Sequence, residues 1–260
     1  MRHRRNPIPE HLRYPRSGFL DEFDDTPPTR QVLAEQDRNC DNETYENLDL
    51  RHIDFYRASF VNTKFINCDL RGCGFVNANC ENAIFKECDL SNSQFRHARL
   101  NGSNFELSDL RGASFKYAQM PNLEAFDRTN IEDTVFSDES LFFTYLRYRK
   151  GELPDLNILG VPRFEELILN GSNLQGADLK GMHIIAGSFV RANLQGANLS
   201  DAEFYATNFE SANLSGANLS NADLRFASMI RANLSGANLS GASLRTTDMR
   251  YANLSGANLS

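Results

Sequence analysis

From Leu50 onward a large apolar residue returns at every fifth position. Leu50, Phe55, Phe60, Phe65 and Leu70 open a series that runs to Met120, with Cys80 the smallest member. Two residues before each stands a small or thiol side chain, as at Ala58, Thr63, Cys68, Cys73 and Cys88. A second series runs from Leu174 through Leu179, Ile184 and Phe189 to Leu259, displaced in phase by one residue. A period of five keeps residues on one side of neither a 3.6-residue helix nor a two-residue strand. Each unit must therefore turn a corner, with one large and one small side chain pointing inward and glycine or serine at many of the corners.

A longer period sits on top of the short one. Ala-Asn-Leu-(Gln/Ser)-Gly-Ala-Asn-Leu-Ser begins at Ala192, Ala212, Ala232 and Ala252, and Asp-Leu recurs at Asp49, Asp69, Asp89 and Asp109. Twenty residues are four units, so the expected architecture is an all-β repeat solenoid of four-sided coils. Coils stacked at the interstrand spacing of about 4.8 Å make each array about 20 Å long. The units Ala192-Asn193-Leu194-Gln195-Gly196 and Ala212-Asn213-Leu214-Ser215-Gly216 resemble the pentapeptide-repeat family over roughly 46–136 and 165–260. That resemblance implies a right-handed quadrilateral β-helix.

The pattern stumbles at Pro121-Asn122-Leu123, resumes one residue out of phase at Phe126, Ile131 and Phe136, and then stops. Ser137 or Asp138 can cap a helix over about 139–150, Arg147, Arg149 and Lys150 suit its C-terminal end, and Gly151 suits its exit. Leu141, Tyr145 and Tyr148 share one face of it, and Pro154 and Pro162 punctuate the return. The expected organisation is a disordered tail over 1–45 in which 29–45 can cap the first coil, a first β-helix over 46–136, a helical joint over 137–164 and a second β-helix over 165–260, the alternative for 137–164 being an inserted hairpin with no mechanical role. The final coil ends within a perfect repeat, so end-to-end pairing of two chains through Leu254 and Leu259 is expected of a chain ending at Ser260.

Charge and cysteine usage narrow the function. The net charge is −7, but residues 46–120 hold nine basic and nine acidic residues and 171–260 hold six and six. Both arrays are thus neutral, and the excess acid lies mostly in 121–170. No run approaches the roughly 18 apolar residues of a membrane span, and Met1–Arg5 leads into proline and charge, so a cytoplasmic protein is expected, with neither membrane nor nucleic acid as partner. The five cysteines, Cys40, Cys68, Cys73, Cys80 and Cys88, form no CxxC pair, and His3, His11, His52, His97 and His183 are scattered. Buried reduced thiols, with no metal and no cofactor, are expected.

Two polar constellations remain. The Asp49, Asp69, Asp89 and Asp109 column runs beside Arg51, Arg71 and Arg111. It reads either as a groove for a cation or basic peptide, or as backbone support of the kind the family uses. In the second array two sides carry little but Ser, Gly and Asn. The other two are decorated: Ile185, Tyr205, Arg225 and Arg245 form one outward column with Phe226 beside it, and Val190, Ile230, Arg231, Arg250 and Tyr251 lie on the next side. Arginine and aromatics concentrate at interface centres, which makes this corner the candidate protein-docking surface. No nucleophile elbow or phosphate loop is present. The expected function is a non-enzymatic scaffold or interaction module for an unidentified protein partner. The resemblance implies a rival, because the family's quinolone-resistance group imitates DNA to bind DNA gyrase, and such mimicry calls for a strongly negative surface.

Overall fold

The structure, a computed structural model, describes residues 39–152 and 158–260. The tail and cap expected over 1–45 therefore lie, up to residue 38, outside the described residues, as does Pro154. The chain divides into two compact units between Asn130 and Ile131, and each is a right-handed quadrilateral β-helix.

In the first unit the short strands β1 (Thr44–Glu46), β2 (Lys64–Ile66) and β3 (Ile84–Lys86) pair in parallel, with Tyr45 opposite Phe65 and Phe65 opposite Phe85. The other sides are held by isolated parallel bridges with the same 20-residue step, such as Asp49 to Asp69 and Gly74 to Gln94. Amides of this ladder reach carbonyls of the coils on either side, Phe75 donating to Gln94 at 2.6 Å and Gly74 to Ile53 at 3.0 Å.

The corner is a β-turn: the Ala58 amide donates to the Phe55 carbonyl at 3.0 Å, and Arg57 between them has φ 56°. A left-handed residue recurs every fifth position, commonly Asn or Gly, as at Asn62, Gly102, Gly196 and Gly216. These types tolerate that region, whereas other residues are held there at a cost of about 1–2 kcal/mol.

Inside the first unit the large residues form columns. Phe75, Phe95 and Phe115 stack at 4.6 and 4.8 Å with planes 1° and 2° apart, and Phe65, Phe85 and Phe105 stack at 5.2 and 5.0 Å. The two ladders meet edge to face across the bore, with Phe85 and Phe95 centroids 5.8 Å apart at 83°. Stacking at this separation is the offset arrangement favoured by the ring quadrupole. The one-residue phase slip after Met120 is absorbed by a 3-10 turn, Leu123–Phe126, which still lays Phe126 on Phe105 at 5.4 Å.

The second unit opens with β4 (Val135–Phe136), which pairs in parallel with β5 (Arg163–Glu165), itself paired with β6 (His183–Ile185). Val135 meets Arg163, a step of 28 residues instead of 20. The segment expected to be a joint is thus an excursion from one coil of this unit, because the chain before and after it belongs to the same ladder. It contains α1 (Glu139–Arg149), capped by the Asp138 carboxylate, which accepts from the Leu141 amide, and left through Gly151 at φ 75°. Phe142 lies edge-on to Phe164 at 5.1 Å, and the Tyr148 hydroxyl both donates to and accepts from the Ile158 backbone at 3.0 and 3.1 Å. Further on the interior is mainly leucine, fully buried from Leu179 to Leu234, with Phe189, Phe204 and Phe209 the aromatic members. In the last coil the packing opens, and Leu259 is 54% exposed.

Phe95 touches rings above, below and across the bore. Phe95→Ala is expected to destabilise the first unit by about 3–5 kcal/mol, through lost transfer energy and the cavity left between rigid coils. Urea unfolding followed by circular dichroism reads this as a lowered midpoint at unchanged slope.

Candidate protein-interaction surfaces

Every face carries an outward column one residue before the large inward one, and the side chain there decides what the face can do. In the second unit this residue is asparagine on two faces. Each Oδ1 accepts the amide two residues on, as from Ser215 to Asn213 at 3.3 Å, and each Nδ2 donates to the asparagine one coil back. The ladder Asn173, Asn193, Asn213, Asn233, Asn253 closes at 3.2–3.3 Å, and Asp178, Asn198, Asn218, Asn238, Asn258 repeats it. The amides spend their hydrogen bonds on one another, so the two ladders are internally satisfied, and of the charges beside them Lys180 lies 3.5 Å from Asp201 and Arg149 3.8 Å from Asp178.

Aspartate accepts the same turn amide but has no hydrogen to pass on. In the first unit Arg51, Arg71 and Arg111 fold back onto Asp49, Asp69 and Asp109, with guanidinium to carboxylate distances of 2.7, 2.7 and 2.6 Å. Arg71 also lies 3.5 Å from Asp89, whose Oδ1 accepts from the Ser91 hydroxyl. The Arg51 hydrogen bonds hold the Asp49 carboxyl below the ordinary 3.8 against the opposing effect of burial. At Asp109 burial pushes upward, and the hydrogen bonds and charge of Arg111 outweigh it. The column is therefore already neutralised and bonded, which fits the backbone-support reading and leaves little field for a cation or basic peptide.

The cysteines have a related task that their spacing alone does not disclose. On the face carrying β1 to β3 the turn is wider, and the carbonyls of Tyr45, Phe65 and Phe85 accept instead from the coil above: Cys68 at 3.3 Å, Cys88 at 3.3 Å and Ser108 at 2.8 Å. Thr129 also donates to the Phe105 carbonyl at 2.6 Å, beside the Ser108 amide at 3.1 Å. The small inward residue at this corner thus carries a donor because a buried carbonyl needs one. All five thiols are buried, and burial pushes Cys73 up to about 12. The hydrogen bond to Cys68, and then burial, hold Cys88 above the usual thiol range. Among the described residues no three His, Cys, Asp or Glu converge as a metal site, and no helix is long and apolar enough to cross a membrane.

The decorated corner of the second unit comes together largely as its columns dictate. Tyr205 and Phe226 rings lie 5.2 Å apart, the Arg225 guanidinium sits 5.7 Å over Tyr205 while bonding Asp223 at 2.6 Å, and Arg231 lies 5.9 Å over Tyr251. Arg250 bonds Asp248 at 2.6 Å, Arg245 is exposed, and Ile185 and Ile230 are half-buried between the columns. Phe226 is 50% and Tyr251 82% exposed, yet both hold left-handed backbone, φ 61° and 62°, where Ala206 and Ser211 stand one and two coils earlier in the same columns. Residue identity and spacing do not carry this left-handed backbone. It marks these two aromatics as side chains kept at a conformational cost.

Four-sided coils with a left-handed corner every fifth residue define a β-helical repeat solenoid. A family model described as "Pentapeptide repeat region" matches residues 40–115, and one described as "Pentapeptide repeats (8 copies)" matches 188–225 and 227–260. The chain belongs to the pentapeptide-repeat family. Among solved structures it is similar to a pentapeptide repeat protein from the Arabidopsis thaliana thylakoid lumen, at 31% identity over 36% of this chain and 63% of that one, TM-score 0.33. It thus spans less than two thirds of that protein's length. It is also similar to QnrB1, a plasmid-mediated fluoroquinolone resistance protein, at 21% identity over 84% and 86%, TM-score 0.36. HetL from the cyanobacterium Nostoc sp., involved in heterocyst differentiation regulation, aligns at 24% identity over 86% and 92%, TM-score 0.26. No curated protein matches the chain.

If the Asp column is closed by its arginines, Arg71→Ala should lower the melting temperature by removing the 2.7 Å guanidinium partner of the buried Asp69, and adding Asp69→Asn should restore it by installing the amide ladder of the second unit. The carboxyls of Asp49 and Asp109 have folded values below 3.8. Their stabilisation is complete above about pH 4 and is lost as the pH falls through the folded values. Melting temperatures recorded from pH 7 down to pH 2 are expected to fall only at the acid end, and less in a chain carrying Asp49→Asn and Asp109→Asn.

Proposed function

We propose that this chain is a non-catalytic scaffold that docks a protein partner on the corner formed by Tyr205, Arg225, Phe226, Arg231, Arg245 and Tyr251. The observation that carries this reading is the pair of exposed aromatics at φ 61° and 62°. A bulky side chain in that region destabilises the coil, and glycine would fit better, so a gain outside the fold accounts for its presence. Rigid aromatics with arginines over their faces are also the composition of interface centres. The flat amide-ladder faces beside the corner offer little to grip.

The rival reading, a DNA-mimicking gyrase binder, has less support. The Asp column that would imitate phosphates carries its own arginines at 2.6–2.7 Å, and charged mimicry depends on a net field.

Phe226→Gly with Tyr251→Gly separates fold from function. The double variant is expected to melt at or above the wild-type temperature, because the left-handed strain is relieved. With the immobilised full chain as bait and quantitative mass spectrometry as readout, specifically retained protein should fall by about 30-fold or more, the loss of one hot spot of about 2 kcal/mol. Retention at the wild-type level would rule this corner out. Inhibition of gyrase supercoiling by the wild-type chain would favour the mimic instead.

A further inference from the structure

The six charged side chains of residues 221–260 are Asp223, Arg225, Arg231, Arg245, Asp248 and Arg250, and every one stands on the two decorated sides of the second unit. The other two sides of these coils carry only Asn, Ser and Gly outward. Four guanidinium groups thus meet two carboxylates on a single corner, and both carboxylates are spent. Arg225 forks onto Asp223 at 2.8 and 2.6 Å, and Arg250 onto Asp248 at 3.0 and 2.6 Å. Each aspartate also accepts the backbone amide of its arginine, at 3.1 Å in both cases.

Arg231 and Arg245 are exposed and make no ion pair among the described residues; Arg231 lies over the Tyr251 ring at 5.9 Å. Both stand beside the strained aromatics. The Phe226 amide donates to the Arg245 carbonyl at 3.1 Å, and the Arg231 amide to the Arg250 carbonyl, next to Tyr251, at 3.0 Å. One coil earlier Glu203 and Glu210 occupy the Asp223 and Ile230 columns, so the positive excess is confined to the coils of residues 221–260. A free planar guanidinium is matched by a carboxylate, which it can bond through two parallel N–H groups. A nucleic acid fits less well, because Asp223 and Asp248 oppose phosphates and the Tyr205 and Phe226 rings, 5.2 Å apart, already pack on each other. Resting on the docking reading above, we propose that the partner presents an acidic protein segment with a large apolar side chain, its carboxylates on Arg231 and Arg245 and its apolar group against Phe226 and Tyr251. Glu203 and Glu210 repel the same carboxylates and hold the segment to the coils of residues 221–260.

Fluorescence anisotropy with the full chain tests this, using as probe a labelled Gly/Ser peptide that carries two glutamates on each side of one phenylalanine. Peptides with glutamine or lysine in place of glutamate, and an oligo-deoxythymidine, serve as comparisons. The glutamate probe should bind about tenfold more tightly than the glutamine probe, the worth of a charge-assisted contact, and should lose that advantage as salt is raised. Arg231→Gln with Arg245→Gln should bring the two probes level at an unchanged melting temperature, and Arg231→Glu with Arg245→Glu should reverse the order in favour of the lysine probe. Equal or absent binding of the glutamate and glutamine probes, a glutamate preference that survives both double variants, or tighter binding of the oligonucleotide would overturn the proposal. The docking reading fails separately. Protein retained from lysate at the wild-type level by Phe226→Gly with Tyr251→Gly sinks that reading, whereas protein lost with the glycine variant and kept by Arg231→Gln with Arg245→Gln sinks only the acidic partner.

Discussion

The structure depends on one constraint: residues 20 apart must pair in parallel while the chain turns through four corners between them. The ladder supplies the backbone hydrogen bonds, and the corner supplies the return. A turn with a left-handed third residue, hydrogen-bonded as a β-turn at most corners and wider on the β1–β3 face, closes the five-residue units, so the backbone can complete a coil of 20 without helix or long strand. With corner geometry repeated, every side chain inherits the address of the one 20 residues earlier. Columns follow, and most of the molecule's chemistry is a property of columns.

Each column solves a different problem. Inside, phenylalanine ladders fill the bore of the first unit by face-on stacking along the axis and edge-on contact across it. At the wide corner, thiols and hydroxyls return a donor to carbonyls that the turn leaves open. Outside, asparagine passes hydrogen bonds from coil to coil, and aspartate, lacking the hydrogen, recruits arginine. These are alternative ways of satisfying polar groups on a fixed lattice, and their outcome separates inert faces from usable ones. A face whose polar atoms are spent on each other presents nothing to a partner. The corner that holds Phe226 and Tyr251 in left-handed backbone keeps those side chains exposed.

Much of this was legible in the amino-acid order. The five-residue period, the 20-residue period, the inward leucines and phenylalanines, a cap for α1 at Ser137 or Asp138 and the columns of the decorated corner all follow from identity and spacing, because on a repeating lattice position in sequence is position in space. The tertiary structure decided what periodicity does not encode. Ile131 to Phe136 pairs forward across 28 residues, which makes the helix an excursion from one coil, since strand partnership depends on which edge is open when the chain returns. Whether Asp69 is a site or a support depends on the rotamer of Arg71, and whether Cys88 is merely small or also a donor depends on a carbonyl 23 residues away. That Phe226 and Tyr251 stand at left-handed corners is likewise a fact of backbone dihedrals. Spacing places a side chain on a face, and only the folded coil settles which hydrogen bond it makes and what strain it bears.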